Sequence, residues 1–214
     1  MSLTSTDLGL LVQGLGLTAW MTLWGTLLAL ALAVPLALCL RSNRFWISAP
    51  ARIYVEVMRG APLVLLLFLL YYGGPQIGLR LSAPVAGIVG LGFFGAGAFA
   101  EILRAGLNAV PTGDVEAASM LGINRLKCIV HIEIPQAART VIPPIFGQTI
   151  ILVKESAVLS VITIAELTKA ASELATLTFS VQPFIVAALL YWALVEAIAQ
   201  VGLAAERHYQ IGGH

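Results

Sequence analysis

EAASMLGINRLKCIVHIEIP, from Glu116 to Pro135, is the one long polar interruption in a chain otherwise made of apolar runs. Its residues spell two short helices around a tight turn. Thr112 and Asp114, just upstream, offer side-chain oxygens as N-caps, and Glu116 falls in the first turn, where the helix dipole favours an anion. Ala117, Ala118, Met120 and Leu121 are good helix formers. Gly122 is placed to end the first helix in the left-handed conformation, and Asn124 to cap the second. In a water-soluble protein such a hairpin would pass for a DNA-reading helix-turn-helix. That reading requires a soluble domain and a basic recognition face.

Composition denies both. Of 214 residues, 59% are hydrophobic and 11% charged, with a mean hydropathy of +0.93. Soluble domains carry about 25% charged residues, and apolar runs of about 20 residues are the length that crosses a bilayer. The chain is therefore expected to be all-α and membrane-embedded, with lipid rather than nucleic acid around it.

Five spans are expected. The first runs from about Leu10 to Leu40; it is too long for a signal peptide and has no cleavage-site pattern behind it. The second centres on Leu63–Tyr72, which as a helix covers only about 15 Å of a ~30 Å hydrocarbon core. It must borrow residues from Ile53–Met58 or from Gly73–Leu81. The third, Ala83 to about Leu103, is rich in glycine and alanine, which let membrane helices approach closely, so it should be central. Glu101 and Arg104 near its end form an i,i+3 pair able to neutralise itself. The fourth runs from about Val141 to Ile164 and the fifth from about Phe184 to Ala205. Ala165 to Thr176 between them reads as a short amphipathic helix at the membrane surface.

Charge placement sets the orientation. If the polar loop is cytoplasmic, nine of the twelve Lys and Arg residues lie inside, Arg80 and Lys169 lie outside, and Lys154 lies within a span. The positive-inside rule then puts the N-terminus outside and the C-terminus in the cytoplasm. Cys39 and Cys128 both fall on the cytoplasmic side, so no disulfide is implied. The chain has no G-x-x-x-x-G-K-[ST] phosphate loop, no Ser/His/Asp arrangement and no metal-ligand cluster, since His131, His208 and His214 are scattered. It is not expected to be an enzyme or to hold a cofactor.

Glu116-Ala117-Ala118, three residues, Gly122, nine residues, then Ile132-x-Ile134-Pro135 resembles the EAA loop of permease subunits in bacterial ATP-binding-cassette importers, with Ile134 in place of the usual Leu. Arg59-Gly60-Ala61-Pro62 is similar to the Arg-Gly-Thr-Pro signature of the amino-acid branch, with Ala61 for Thr. Val110-Pro-x-Gly113, Pro135-Gln-Ala and Lys154-Glu-Ser-x-x-x-Ser160 extend the resemblance to polar amino acid permeases of the histidine, arginine and glutamine type. Asp114 stands where those have Gln, and Lys154-Glu155-Ser156-Ala157-Val158 replaces Lys-Asp-Thr-Ser-Leu. The resemblance implies a single permease domain over residues 1–214 in the inner (plasma) membrane, with the type I importer fold and a coupling loop at about 111–136. It implies cytoplasmic ATPase subunits, which bind the ATP and Mg, a second permease subunit, an extracytoplasmic solute-binding protein and an amino acid substrate. Asp114, Glu116, Ala117, Ala118 and Gly122 would meet the ATPase. A secondary transporter or channel is the alternative, disfavoured by the lack of inverted halves.

For the substrate, the fourth span is the candidate. Glu155 lies eleven residues beyond Pro144, about 16 Å along a helix and near mid-membrane, where an ionisable group faces a cavity or a partner. If that helix is continuous, Thr149, Ser156, Ser160 and Thr163 share one stripe with Gln148 and Glu155 beside it, although Leu152 interrupts it. Glu155 would hold the ammonium group, with Ser156 and Thr149 contributing hydrogen bonds and Gln148 and Ser160 completing the substrate-binding set. Lys154, pointing away, would pair with Glu101 or Glu196. The other reading makes Lys154 and Glu155 structural bonds between helices.

Overall fold

A computed structural model describes residues 4–211, all of whose regular elements are helical; His214 lies outside the described residues. Helix α1, Ser5–Leu40, opens with a capping box: the Thr4 side chain accepts from the Asp7 N–H, and Asp7 accepts from the Thr4 N–H at 2.8 Å. Thirty-six residues make it about 54 Å long, more than a bilayer is thick. One face, from Leu11 through Thr18, Met21, Gly25 and Ala29 to Leu40, is buried, and the other presents Val12, Leu23, Leu27 and Val34 outward.

Helix α2, Phe45–Gly60, and helix α3, Leu63–Phe68, do not form one rod. The α3 axis continues through a π turn at Leu69–Gly73 and a 3-10 turn at Gly74–Ile77, and stands at 106° to α2. The corner is Ala61-Pro62, both extended, as the residue before a proline must be. The second span thus borrows its missing length downstream, and Arg59-Gly60-Ala61-Pro62 is its bend. Tyr54 on α2 donates to the Phe93 carbonyl at 2.7 Å, and Tyr72 donates to the Val161 carbonyl at 3.1 Å.

Helix α4, Ala83–Asn108, is the central span. Its glycines receive side chains from three neighbours: Met21 of α1 and Leu159 at Gly87, Leu28 at Gly92, Leu67 at Gly90. Leu91 returns the favour by filling the space above Gly25 of α1. Close approach of this kind maximises dispersion contact where lipid offers no hydrophobic drive. The resulting core joins Met21, Leu67, Leu91, Phe99, Leu152, Leu159 and Ile162.

Helices α5, Thr112–Met120, and α6, Arg125–Cys128, form the polar hairpin. A π turn, Ile129–Glu133, then leads into α7, Ile134–Glu155. Arg125 to Ile162 forms a single 38-residue rod, so the fourth span begins inside the loop rather than at Val141. Past Glu155 the rod tightens into a 3-10 turn, Ser156–Ile162, and Thr163 stops it with φ +67°. Helix α8, Leu167–Thr178, follows and packs on Leu11 of α1 and Ala187 of α9, Gln182–Ile211. Among the described residues four helices are long and apolar enough to span a membrane, five with the bent pair.

Candidate functional site

The polar hairpin ends its first helix with a Schellman motif. Gly122 stands at φ +73°, the Ile123 N–H donates to the Ala118 carbonyl and the Gly122 N–H to the Ser119 carbonyl, each at 3.0 Å. Only the left-handed conformation closes both bonds, which is why glycine sits there. Asn124 caps α6 by accepting from the Lys127 N–H at 2.9 Å. The expected caps of α5 do not form. Pro111 is the N-cap residue, making Thr112 the first helical residue, and the Asp114 carboxylate instead accepts from Gln136 Nε2 at 2.8 Å. Proline before the helix fixes the entry without needing a side-chain acceptor.

The tip of the hairpin is apolar and bare: Met120, Leu121 and Leu126 are 87%, 80% and 72% exposed. Glu116 and Ala117 are exposed beside them. Ala118 is not part of that face, being buried under the turn, so the small apolar surface consists of Ala117 with the three larger side chains. Together they form a bare apolar patch on an otherwise polar projection. Leu121, in sequence merely a helix former, and Leu126 are its largest members together with Met120.

Glu133 is the residue that the sequence reading passed over. It is fully buried, yet its carboxylate takes both Arg41 Nη1 at 2.6 Å and Arg125 Nη1. Arg41 Nε also donates to Asn108 Oδ1 at 3.0 Å. The signal was a glutamate inside Ile-Val-His-Ile-Glu-Ile, apolar on both sides. The π turn holding it precedes Pro135, whose missing N–H and ring bulk oppose a regular α turn there.

In the fourth span the assumed stripe does not exist. A 3-10 turn repeats every three residues, so Ser156, Leu159 and Ile162 share its buried face while Ser160 and Thr163 turn away from Ser156. The hydroxyls are used locally: Thr149 donates to the Ile145 carbonyl, Ser156 to Val153 and Ser160 to Ala157, at 2.9, 2.7 and 2.9 Å. Thr149 also faces a crevice of about 390 Å³ between α1, α7 and α9, lined with Leu23, Phe146, Val153 and Leu194 and thus apolar. Gln148 and Glu155 are half-buried. Lys154 is exposed and meets neither expected partner, because Glu101 is held by Arg104 at 2.7 Å and Glu196 accepts from Gln200 at 2.6 Å.

A second buried carboxylate, Glu166, caps α8. It accepts from the Thr168 and Lys169 N–H groups and from Tyr191 Oη, each at 2.8 Å. Burial raises its carboxyl above the ordinary value, against the lowering pull of those hydrogen bonds. The neighbouring Leu167 N–H donates to Thr18 Oγ1 at 3.2 Å, so this knot ties α8 to α1 and α9. Among the described residues no three His, Cys, Asp or Glu side chains converge as a metal site.

A helical bundle with about five spans among the described residues, and a rod running from one of those spans into a polar hairpin, define a multi-pass membrane subunit. The chain belongs to the binding-protein-dependent transport system inner membrane component family, whose pattern matches residues 25–199. It is 34% identical over 211 residues to the arginine transport system permease protein ArtQ of Bacillus subtilis (strain 168), covering 96% of this chain and 95% of that protein. It is 31% identical over 199 residues to the probable amino-acid ABC transporter permease protein YckA of the same organism, covering 92% and 88%. The crystal structure of an amino acid ABC transporter with histidines superposes with a TM-score of 0.86 at 31% identity, covering 97% of this chain and all of that one. The inward-facing MetNI methionine ABC transporter shares the fold, with a TM-score of 0.85 at 20% identity over 97% and 99% of the two chains. The chain is therefore a multi-pass inner-membrane permease subunit of an ABC importer with the type I fold. It is not itself an enzyme, and the secondary-transporter reading has no support.

Proposed function

We propose that this chain forms half of the passage of an amino-acid importer, completed by a second permease subunit, two cytoplasmic ATPases that bind ATP and Mg, and an extracytoplasmic solute-binding protein. The observation that carries the proposal is the chain-long similarity to permeases named for amino acids. The N-terminus lies outside and the hairpin and C-terminus lie in the cytoplasm, in keeping with the placement of Lys and Arg. Glu116, Ala117, Met120, Leu121 and Leu126 form the dock for the ATPase, with Gly122 setting its turn and Asp114 and Ala118 bracing it from within. ATP-driven closure of two ATPases draws two such hairpins together. Because the rod runs unbroken from Arg125 to Ile162, that displacement reaches mid-membrane without crossing a flexible joint.

For the substrate, Glu155 and Gln148 are the contacts of this chain. Neither has a side-chain hydrogen bond among the described residues, whereas Thr149, Ser156 and Ser160 are occupied with their own backbone and shape the wall. Glu155 meets the ammonium group of the amino acid. The test is reconstitution of the importer with its binding protein and measurement of ATP hydrolysis with each amino acid in turn. Stimulation by one or a few amino acids is the expected result; a complex that no amino acid stimulates refutes the substrate class.

A further inference from the structure

We propose that Glu133 is a positioning residue for coupling, which clamps the hairpin and the start of the α7 rod to the cytoplasmic ends of α1 and α4 so that the three spans move together. Each partner of its carboxylate comes from a different place in the fold. Arg41 is the C-cap of α1, Arg125 opens α6, and Arg41 in turn holds Asn108, the last residue of α4. Cys128 closes the pocket with its sulfur 3.9 Å from Oε1. One buried acid thus joins the ends of two spans to the base of a third.

Geometry argues for a mechanical role beyond neutralising two arginines. Both guanidiniums have outlets to water, the Arg41 and Arg125 side chains being 17% and 56% exposed, while Glu133 is 0% exposed. Burying a carboxylate is costly unless its partners are held in place, so its burial fixes the two cations relative to each other. The π turn contributes the register. One residue fewer would rotate the side chain by about 100° about the rod and away from Arg41. Gln136, one turn further on, also holds Asp114 of α5, so the hairpin is fastened to the rod on both sides of the π turn. A force applied at Met120 and Leu121 is then delivered to α1 and α4 as well as to α7. Without the clamp that force would reach α7 alone.

This inference rests on the reading of residues 111–136 as the ATPase dock. Glu133→Gln, Arg125→Ala and the double variant are purified as full importers and placed in vesicles. ATP hydrolysis and uptake of radiolabelled arginine, glutamine and histidine, each offered singly, are measured on the same preparation. Expected are wild-type ATPase content and basal hydrolysis, with about tenfold less amino acid carried per ATP, a coupling loss. The double variant should be no worse than the worse single, because both remove one clamp. Unchanged uptake per ATP, or loss in proportion to lost complex, overturns the proposal. If Glu133→Gln does not assemble, Arg41→Ala decides: Arg41 carries the bond from the rod to the ends of α1 and α4, its side chain has an outlet to water, and a wild-type ratio in that variant rejects the clamp. A wild-type permease that retains no ATPase refutes the docking reading itself, which is a separate failure.

Discussion

Glu155 and Ser156 are neighbours in sequence with opposite expected sensitivities. Glu155 is a half-buried carboxylate without a hydrogen-bonded partner, at the point where α7 gives way to the 3-10 turn. Glu155→Gln should abolish uptake while leaving assembly and basal ATP hydrolysis intact; wild-type uptake by that variant removes Glu155 from the pathway. The buried Ser156 hydroxyl donates to the Val153 carbonyl and lies against Tyr191, so Ser156→Ala should cost about 1 kcal/mol of stability and leave substrate preference alone. Gly122 is the other decisive residue. A Cβ there meets no atom within 4 Å, so any penalty comes from φ +73° itself, about 1–2 kcal/mol for a side-chain-bearing residue. Gly122→Val should insert normally and bind the ATPase less tightly in co-purification.

Between elements, the α4–α7 contact is the most sensitive to volume. A Cβ added at Gly106 would stand 2.1 Å from Val141 Cγ1 and 3.5 Å from the Ala137 carbonyl oxygen. Gly106→Ala should therefore lower stability by about 1–3 kcal/mol, as overpacked cores do, and Val141→Ala in the same chain should restore most of it. Thermal unfolding in detergent reads both. The α8 knot makes a prediction in pH. Because burial raises the Glu166 carboxyl, the folded protein holds a proton that the unfolded chain releases between the ordinary and the raised value. Stability contributed by this site is thus complete below the ordinary carboxylate range and is lost as pH rises through the raised value. Glu166→Gln should flatten that part of the stability profile; an unchanged slope assigns it to another group.

On the scale of the whole molecule, burial dictates how orientation is to be measured. Cys128 is buried, so failure to label it would say nothing about sides. Phe179 at the end of α8 is 94% exposed and Met120 at the hairpin tip 87% exposed. In a cysteine-free chain expressed without its ATPase, Phe179→Cys should react with a membrane-impermeant maleimide in intact cells. Met120→Cys should react only after the membrane is opened. The reverse pattern inverts the topology and with it every assignment of a cytoplasmic partner.

The sequence alone determined what local chemistry controls. Gly122 and Asn124 announced a turn because few residues satisfy a helix end at positive φ or cap the next helix. Apolar runs, small residues on the third span and Lys/Arg asymmetry announced a bilayer, because hydrocarbon admits little else. Tertiary structure decided what depends on distant neighbours. The corner at Ala61-Pro62 decided from which side the second span takes its missing length, and the tightening after Glu155 interrupts a stretch whose apolar pattern reads as continuous helix and broke an expected polar stripe. Ala118 and Met120 are alike in helix propensity, yet one packs under the turn and the other stands in solvent. Glu133 is the clearest case. Its importance comes from Arg41, ninety-two positions away, meeting it across the ends of two spans, and a contact at that separation is set by how helices pack, not by any pattern along the chain.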